Sequence, residues 1–409
     1  MVKTMPDVTV LDVLLYGDPV GTLTLVPSDR TLFAFNQAYI DNQGRPTLSL
    51  SFKDSLGALR TDVPPVQTRV PPFFANMLPE GSMRDYLAER AGVNPKREFF
   101  LLWVLGKDLP GAVTIRPADG EAWPPDAKDG GEEDEERRRK ALRFSLAGVQ
   151  LKFSAVMEAT GGLTIPAQGV GGEWIVKLPS LKFESVPENE FAMMSFARAL
   201  GMDVPELKLM TVDEIEGLPE GIGEFKGPAL AIKRFDRTDE GPFHIEDFAQ
   251  VFGIFPEDKY KKASSRNIAE VIAAEAGEQD IAEFIRRIVF SVLIGNADMH
   301  LKNWSLIYRD RRAARLAPAY DFVSTIPYIA DNKAALTLGR TKRMNEFSLD
   351  ELAYLAGKAR LPEKLVLDTA KETVARFHDL WRAEGRERLP KDLIEAIEAH
   401  VKTVPIASE

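Results

Sequence analysis

The chain has no cysteine and only four histidines among its 409 residues. The first absence excludes disulfides, thiol nucleophiles and zinc–thiolate centres. The second leaves little for a histidine-based metallohydrolase, whose ligands must converge in number; His244, His378 and His400 sit in no recognisable ligand motif. A G-x-S-x-G nucleophile elbow is missing, which argues against a Ser-His-Asp hydrolase. No apolar run reaches membrane-spanning length. The first residues, "MVKTMPDVTVLDVLLYGDP", lack a basic start followed by an apolar core and a small-residue cleavage site. They read as a first strand, and the expected location is the cytoplasm, with no membrane partner. Positive charge is in deficit: 52 Lys and Arg against 62 Asp and Glu give a formal net charge of −10. Such a surface repels phosphate backbones, so nucleic acid is expected to be reached only through a DNA-binding partner.

What is present fits a globular protein of two or three domains, with 44% hydrophobic and 28% charged residues. Residues 8–50 alternate apolar and polar positions, with a hairpin turn expected at Gly17-Asp18-Pro19. Helical periodicity over 83–106 is interrupted near Pro95. Residues 117–140, "PADGEAWPPDAKDGGEEDEERRRK", offer almost nothing to bury and read as a charged linker or loop. Buried strands are expected within 171–180 and 228–237, with an amphipathic helix ending at Gly201 between them. Further on the spacing predicts helices over 246–253, 265–276, 279–294, 348–357, 362–384 and 390–402. Short strands near 304–308 and 314–317 interrupt them. The layout is a strand-rich lobe followed by a helical one.

Chemistry concentrates in "IGNADMHLKN", residues 294–303. Phosphoryl transfer uses an aspartate that accepts the substrate hydroxyl proton and, five residues on, an asparagine that holds Mg²⁺. Asp298 and Asn303 have that spacing, and Lys302 is placed to screen charge on the transferred group. Downstream, "LAPAYDFVST" supplies Asp321 as a second metal-binding acid in an Asp-Phe context. Upstream, Lys177 in "EWIVKLPS" suits the inner phosphates of a nucleotide, and Glu190 could orient it. "FSLAGVQLKFS" (144–154) offers Gly148 for close approach of backbone amides to phosphate. Each element alone has an ordinary explanation. Lys177 could be an edge-strand lysine, Asp321 a turn residue, Gly148 a hairpin glycine, and "ENE" (188–190) a complement to a helix dipole. Their order along the chain favours a kinase.

The blocks "SLAGVQLK", "WIVKLP", "ENEF", "KRFDR", "GNADMHLKNWSL" and "PAYDF", in this order, resemble the HipA family of bacterial type II toxin kinases nearly end to end. The resemblance implies an α+β fold, a two-lobed divergent protein-kinase-like architecture. Its parts would be a small β-rich N-terminal subdomain (1–116), the charged linker (117–140), an ATP-binding lobe (141–237) and an α-helical catalytic lobe (238–409). It implies ATP and Mg²⁺ as cofactors, with Asp298 the proton acceptor, Asn303 and Asp321 on the metal, and Lys177 on the ATP phosphates. Ala147, Gly148, Val149, Gln150 and Lys152 would belong to a loop over the nucleotide. His300 and Lys302 would line the phosphate site, Tyr320 would abut it, and the backbone of Lys233, Arg234 and Phe235 would form the adenine hinge. Ser145 matches the family's inactivating autophosphorylation site. The implied partners are a HipB-like helix-turn-helix antitoxin and a protein substrate, typically an aminoacyl-tRNA synthetase (glutamyl in the best-studied case). Two departures stand out: Leu146 and Val149 within "SLAGVQ", and a longer, more acidic segment at 117–140. A non-catalytic co-repressor or a small-molecule kinase on the same fold are the alternatives.

Overall fold

A computed structural model describes residues 8–118, 152–158, 162–165, 172–218, 225–329 and 332–409. The N-terminal part is built on an antiparallel sheet of β1 (Val10–Leu15), β2 (Asp18–Val26), β3 (Arg30–Phe35), β4 (Val66–Gln67) and β5 (Val113–Pro117). Its strand order is β4-β3-β2-β1-β5. The period-2 pattern drives it: in β3, Thr31, Phe33 and Phe35 are buried while Arg30, Leu32 and Ala34 are exposed. Phe33, Phe35, Phe52, Phe73 and Phe74 then pack largely edge to face, with Phe33 and Phe35 centroids 4.7 Å apart. The first turn differs from expectation by a residue. Leu15 faces Asp18, so the turn is Tyr16-Gly17, both with positive φ (55° and 87°), and Pro19 lies inside the second strand. Two residues with φ above zero match the twist of a tight hairpin.

A second sheet follows, with β6 (Lys152–Met157), β7 (Leu163–Thr164), β8 (Trp174–Lys177), β9 (Leu207–Met210), β10 (Ile215–Glu216) and β11 (Ala229–Lys233). Its order is β10-β7-β6-β8-β11-β9. Strand β8 is interior, flanked by β6 and β11, which disposes of the edge-strand reading of Lys177. The helix Val186–Ala199 covers this sheet and stops two residues before Gly201, whose φ is +89°.

The rest is mainly helical: Ser265–Glu275, Glu278–Leu293, Leu349–Ala359, Glu363–Leu380 and Lys391–Val401. Glu278–Leu293 is the central helix, buried almost without break from Phe284 to Leu293. A small hairpin, β12 (Arg237–Thr238) and β13 (Gly241–Pro242), precedes a three-stranded sheet of β14 (His244–Asp247), β15 (Ser305–Tyr308) and β16 (Arg315–Leu316). The helix expected over 246–253 therefore starts later, at Phe248. Asp247 accepts from the Gln250 amide at 2.8 Å while the Gln250 side chain accepts from the Asp247 amide at 2.9 Å, a capping box that fixes the start. None of the described helices is long and apolar enough to cross a membrane.

Candidate active site

Gly295, with φ +68°, follows the cap of the central helix and delivers the chain into the loop 296–303. Asn296 is buried and ties the loop together: its Oδ1 accepts from the Asp298 amide at 3.0 Å and its Nδ2 donates to the Asp321 carbonyl at 3.4 Å. Thr325 fastens the other side, accepting from the Ala297 amide at 2.8 Å and donating to the Gly295 carbonyl at 3.1 Å. Asn303 turns its Nδ2 onto the Asp298 carbonyl at 2.9 Å. That fixes which end of the amide is the donor, and leaves the side-chain oxygen without a partner among the described residues.

Across from this loop, the Lys177 ammonium bonds both Glu190, from the Val186–Ala199 helix, and Asp321 Oδ1. Lys177 and Glu190 are buried and Asp321 is partly exposed, while Lys152 brings a second ammonium 3.9 Å from the same Asp321 oxygen. Burial works against the charge on Lys177, but the two carboxylates outweigh it and raise its affinity for the proton. Burial also opposes ionisation of Asp321, yet the two lysines hold it well below the ordinary carboxylate range. Asp321 adopts φ +61°, a left-handed conformation that costs a non-glycine residue about 1 kcal/mol or more and clusters at working sites. Burial pushes the Asp298 carboxyl up, opposed by a hydrogen bond that Tyr260 donates to its Oδ1 at 2.7 Å. His300 is buried with Nδ1 unpartnered and its ring edge-on to Tyr260 at 5.0 Å. Desolvation, helped by Lys259, pushes it down to about 4 and keeps it neutral.

Residues 11–116 match the profile of the HipA N-terminal domain, and residues 144–381 match that of the HipA-like C-terminal domain. The chain belongs to the HipA family. A protein of Sinorhizobium fredii, named only as a candidate kinase, is 60% identical over 410 residues, 99% of each chain. The serine/threonine-protein kinase toxin HipA of Shewanella oneidensis is 26% identical over 353 residues, 75% of each chain. A solved Shewanella oneidensis HipA, in complex with HipB and its operator DNA, superposes with a TM-score of 0.72 at 21% identity. The match covers 97% of this chain and 96% of that one. The fold is thus the two-lobed, kinase-like α+β fold of HipA, as the residue blocks implied.

Lys152, Lys177, Asp298, His300, Asn303 and Asp321 come together as electrostatic or hydrogen-bonding neighbours. Ser145 and Ala147 to Gln150 lie outside the described residues. Of the three residues expected to form a hinge, Lys233 and Arg234 have their amides engaged, by Glu206 O at 2.9 Å and Glu173 O at 2.7 Å. The Arg234 guanidinium turns away to Asp108 and Asp236. Phe235 lays its ring 5.9 Å from Tyr320, whose hydroxyl donates to the Lys302 carbonyl at 2.8 Å.

Lys302 is not brought to the Asp321 group. Its ammonium bonds the Asn76 carbonyl at 2.9 Å and Glu80 at 3.0 Å, with Asp247 3.9 Å away. The expected screening role gives way here to a tether between the loop and the N-terminal part. Sequence reasoning missed Asn296, Tyr260 and Glu80. Asn296 carried a signal, a short amide-bearing residue just past a helix-ending glycine; the other two carried none.

Proposed function

We propose that the chain is an ATP-dependent, Mg²⁺-requiring serine/threonine protein kinase, the toxin of a HipBA-like toxin–antitoxin pair. The observation that supports it most is the Glu190–Lys177–Asp321 ion triad set beside Asp298 and Asn303. Lys177, kept charged and pinned by two carboxylates, binds inner phosphates of the nucleotide, and Glu190 orients it. The Asn303 amide oxygen and the second carboxyl oxygen of Asp321 form an oxygen-only donor pair of the kind hard Mg²⁺ takes, and would hold it. When bound, that ion would neutralise charge on the phosphates. Asp298 accepts the proton of the incoming hydroxyl, Lys152 and neutral His300 line the phosphate region, and Tyr320 stands behind. The amide of Phe235, unpartnered among the described residues, is left for the adenine edge.

By family likeness, residues Ala147 to Gln150 cover the nucleotide. Phosphorylation of Ser145 would switch the protein off, since a phosphate there repels those of ATP. The Shewanella relative is a toxin kinase solved with HipB on DNA. By analogy the partner here is a HipB-like helix-turn-helix antitoxin, with operator DNA reached only through it. The target is a translation component such as an aminoacyl-tRNA synthetase, and its modification would slow growth and promote persistence.

Asp298→Asn tests the central assignment. It should keep nucleotide binding and lose about 10²–10⁴-fold of phosphoryl transfer. Calorimetry with a non-hydrolysable ATP analogue should show binding that EDTA removes. Undiminished transfer by the variant, or equal binding without metal, would refute the site.

A further inference from the structure

We propose that Tyr260 is an acceptor-mimicking gate: its hydroxyl occupies the position on Asp298 that a substrate hydroxyl must take, so that catalysis begins with its displacement. The inference rests on the reading of Asp298 as proton acceptor. Tyr260 donates to Asp298 Oδ1 at 2.7 Å, and an O–H donor on that carboxylate is what a serine or threonine acceptor would present. The phenol is held in place, with its ring edge-on to His300 at 5.0 Å.

The backbone beneath it is tied on several sides. The Lys259 carbonyl accepts from the Leu301 amide at 3.3 Å, the Lys259 ammonium bonds Glu80 at 2.9 Å, and the Tyr260 carbonyl accepts from Lys342 at 3.3 Å. The loop is therefore not free to swing, but Tyr260 is 38% exposed and its side chain can rotate outward without unpacking a core. Burial and the neighbouring Asp298 raise the phenol above its ordinary range, so it stays a proton donor instead of becoming a phenolate against the carboxylate.

Two consequences follow. In the resting chain the phenol, in place of a water, takes one acceptor site on Asp298 Oδ1, which slows hydrolysis of ATP. An acceptor must also bring enough binding to its own segment to push the phenol aside, which favours a docked protein over a free small hydroxyl.

Tyr260→Phe keeps the ring against His300 and removes only the hydroxyl. In the full-length protein with Mg-ATP and no added acceptor, water becomes the nucleophile: its oxygen bonds to the γ-phosphorus, its proton passes to Asp298, and ADP leaves. ADP release should rise about tenfold in kcat, with KM for Mg-ATP within about twofold, since the nucleotide contacts are untouched. Adding Asp298→Asn should erase the rise. A merely structural tyrosine would lower the rate when altered and could not raise it. An unchanged or lower rate in folded Tyr260→Phe protein overturns the gate, as does a rise that survives Asp298→Asn. If Tyr260→Phe does not fold, the phenol is structural and the proposal also falls. Undiminished phosphoryl transfer by Asp298→Asn alone would refute the underlying reading of the base, a separate result.

Discussion

Lys177 shows how much one residue's neighbours decide. Read alone, a lysine four residues into a strand is as well explained by protection of a sheet edge. Only the order of the later acids argued otherwise, and the structure places it in the sheet interior between two carboxylates. Removing its charge leaves Glu190, only 2% exposed, without its counter-ion. Lys177→Met should therefore destabilise the fold by about 3–5 kcal/mol, read as a fall in the urea midpoint, and should abolish Mg-ATP binding in calorimetry. A variant as stable as the parent would mean that the pair is not ionised as described. That Lys177, Glu190, Asp298, Asn303 and Asp321 lie near one another was legible only from their order along the chain and the five-residue spacing of Asp298 and Asn303, since each alone had an ordinary explanation. Tyr260 was not, because it reaches Asp298 across 38 residues of chain and belongs to no motif. Lys302 misled for the same reason, since its partner Glu80 comes from a part of the sequence that looked unrelated to the site.

At the scale of elements, the long helices were legible because apolar spacing over three or more turns has few competing readings. Short elements were not. The strand His244–Asp247 is four residues long, and its acids Glu246 and Asp247 resemble the first turn of a helix. The hairpin at Tyr16-Gly17 lacks the usual Asn-Gly signal, and the nearby proline drew the turn one residue too far.

The element that governs the site is the central helix, with Gly295 just past its cap. A Cβ added there would lie 2.7–2.8 Å from three side-chain carbons of Ile326, and φ is +68°. Because Ile326 is branched, those atoms cannot all swing clear at once. Gly295→Ala should cost about 1–3 kcal/mol, seen as a lower Tm. It should also reduce kcat more than it raises KM for Mg-ATP, because the shift propagates to Asp298 and not to Lys177. A variant with parental Tm and kcat would show that the helix end tolerates the change and does not set the loop.

At the scale of the whole molecule, the two parts are joined by polar groups that composition could not pair. Asp108 and the Gly111 carbonyl meet Arg234 and Arg237, Thr47 bonds Arg311, and Ser49 and Leu50 reach Glu246. Glu246 lies at the centre of this seam with no accessible surface, accepting from the Ser49 hydroxyl at 2.5 Å, the Leu50 amide at 3.0 Å and the Tyr308 hydroxyl. Among the described residues no cation pairs with it, and burial, only partly offset by those three donors, pushes it from 4.5 up to about 7.

The folded chain thus holds this proton to a higher pH than the unfolded chain does. Its contribution to stability is fully present below about pH 4.5 and is lost as pH rises through about 7. Between pH 5 and pH 8 the loss amounts to about 2–3 kcal/mol. Asp247 beside it, raised to about 6, acts in the same direction, while His244, lowered to about 4, acts in the opposite one. Both remain in a Glu246→Gln variant, so apart from the repulsion between Asp247 and Glu246 their contributions drop out of the difference. Glutamine keeps an acceptor and a donor in the seam and cannot ionise. The stability of Glu246→Gln relative to the parent should therefore climb by about 2–3 kcal/mol from pH 5 to pH 8, measured by urea unfolding at each pH. Parallel curves would mean that Glu246 is already ionised in the folded chain at pH 5, and that the seam between the two parts is not pH-sensitive at this residue.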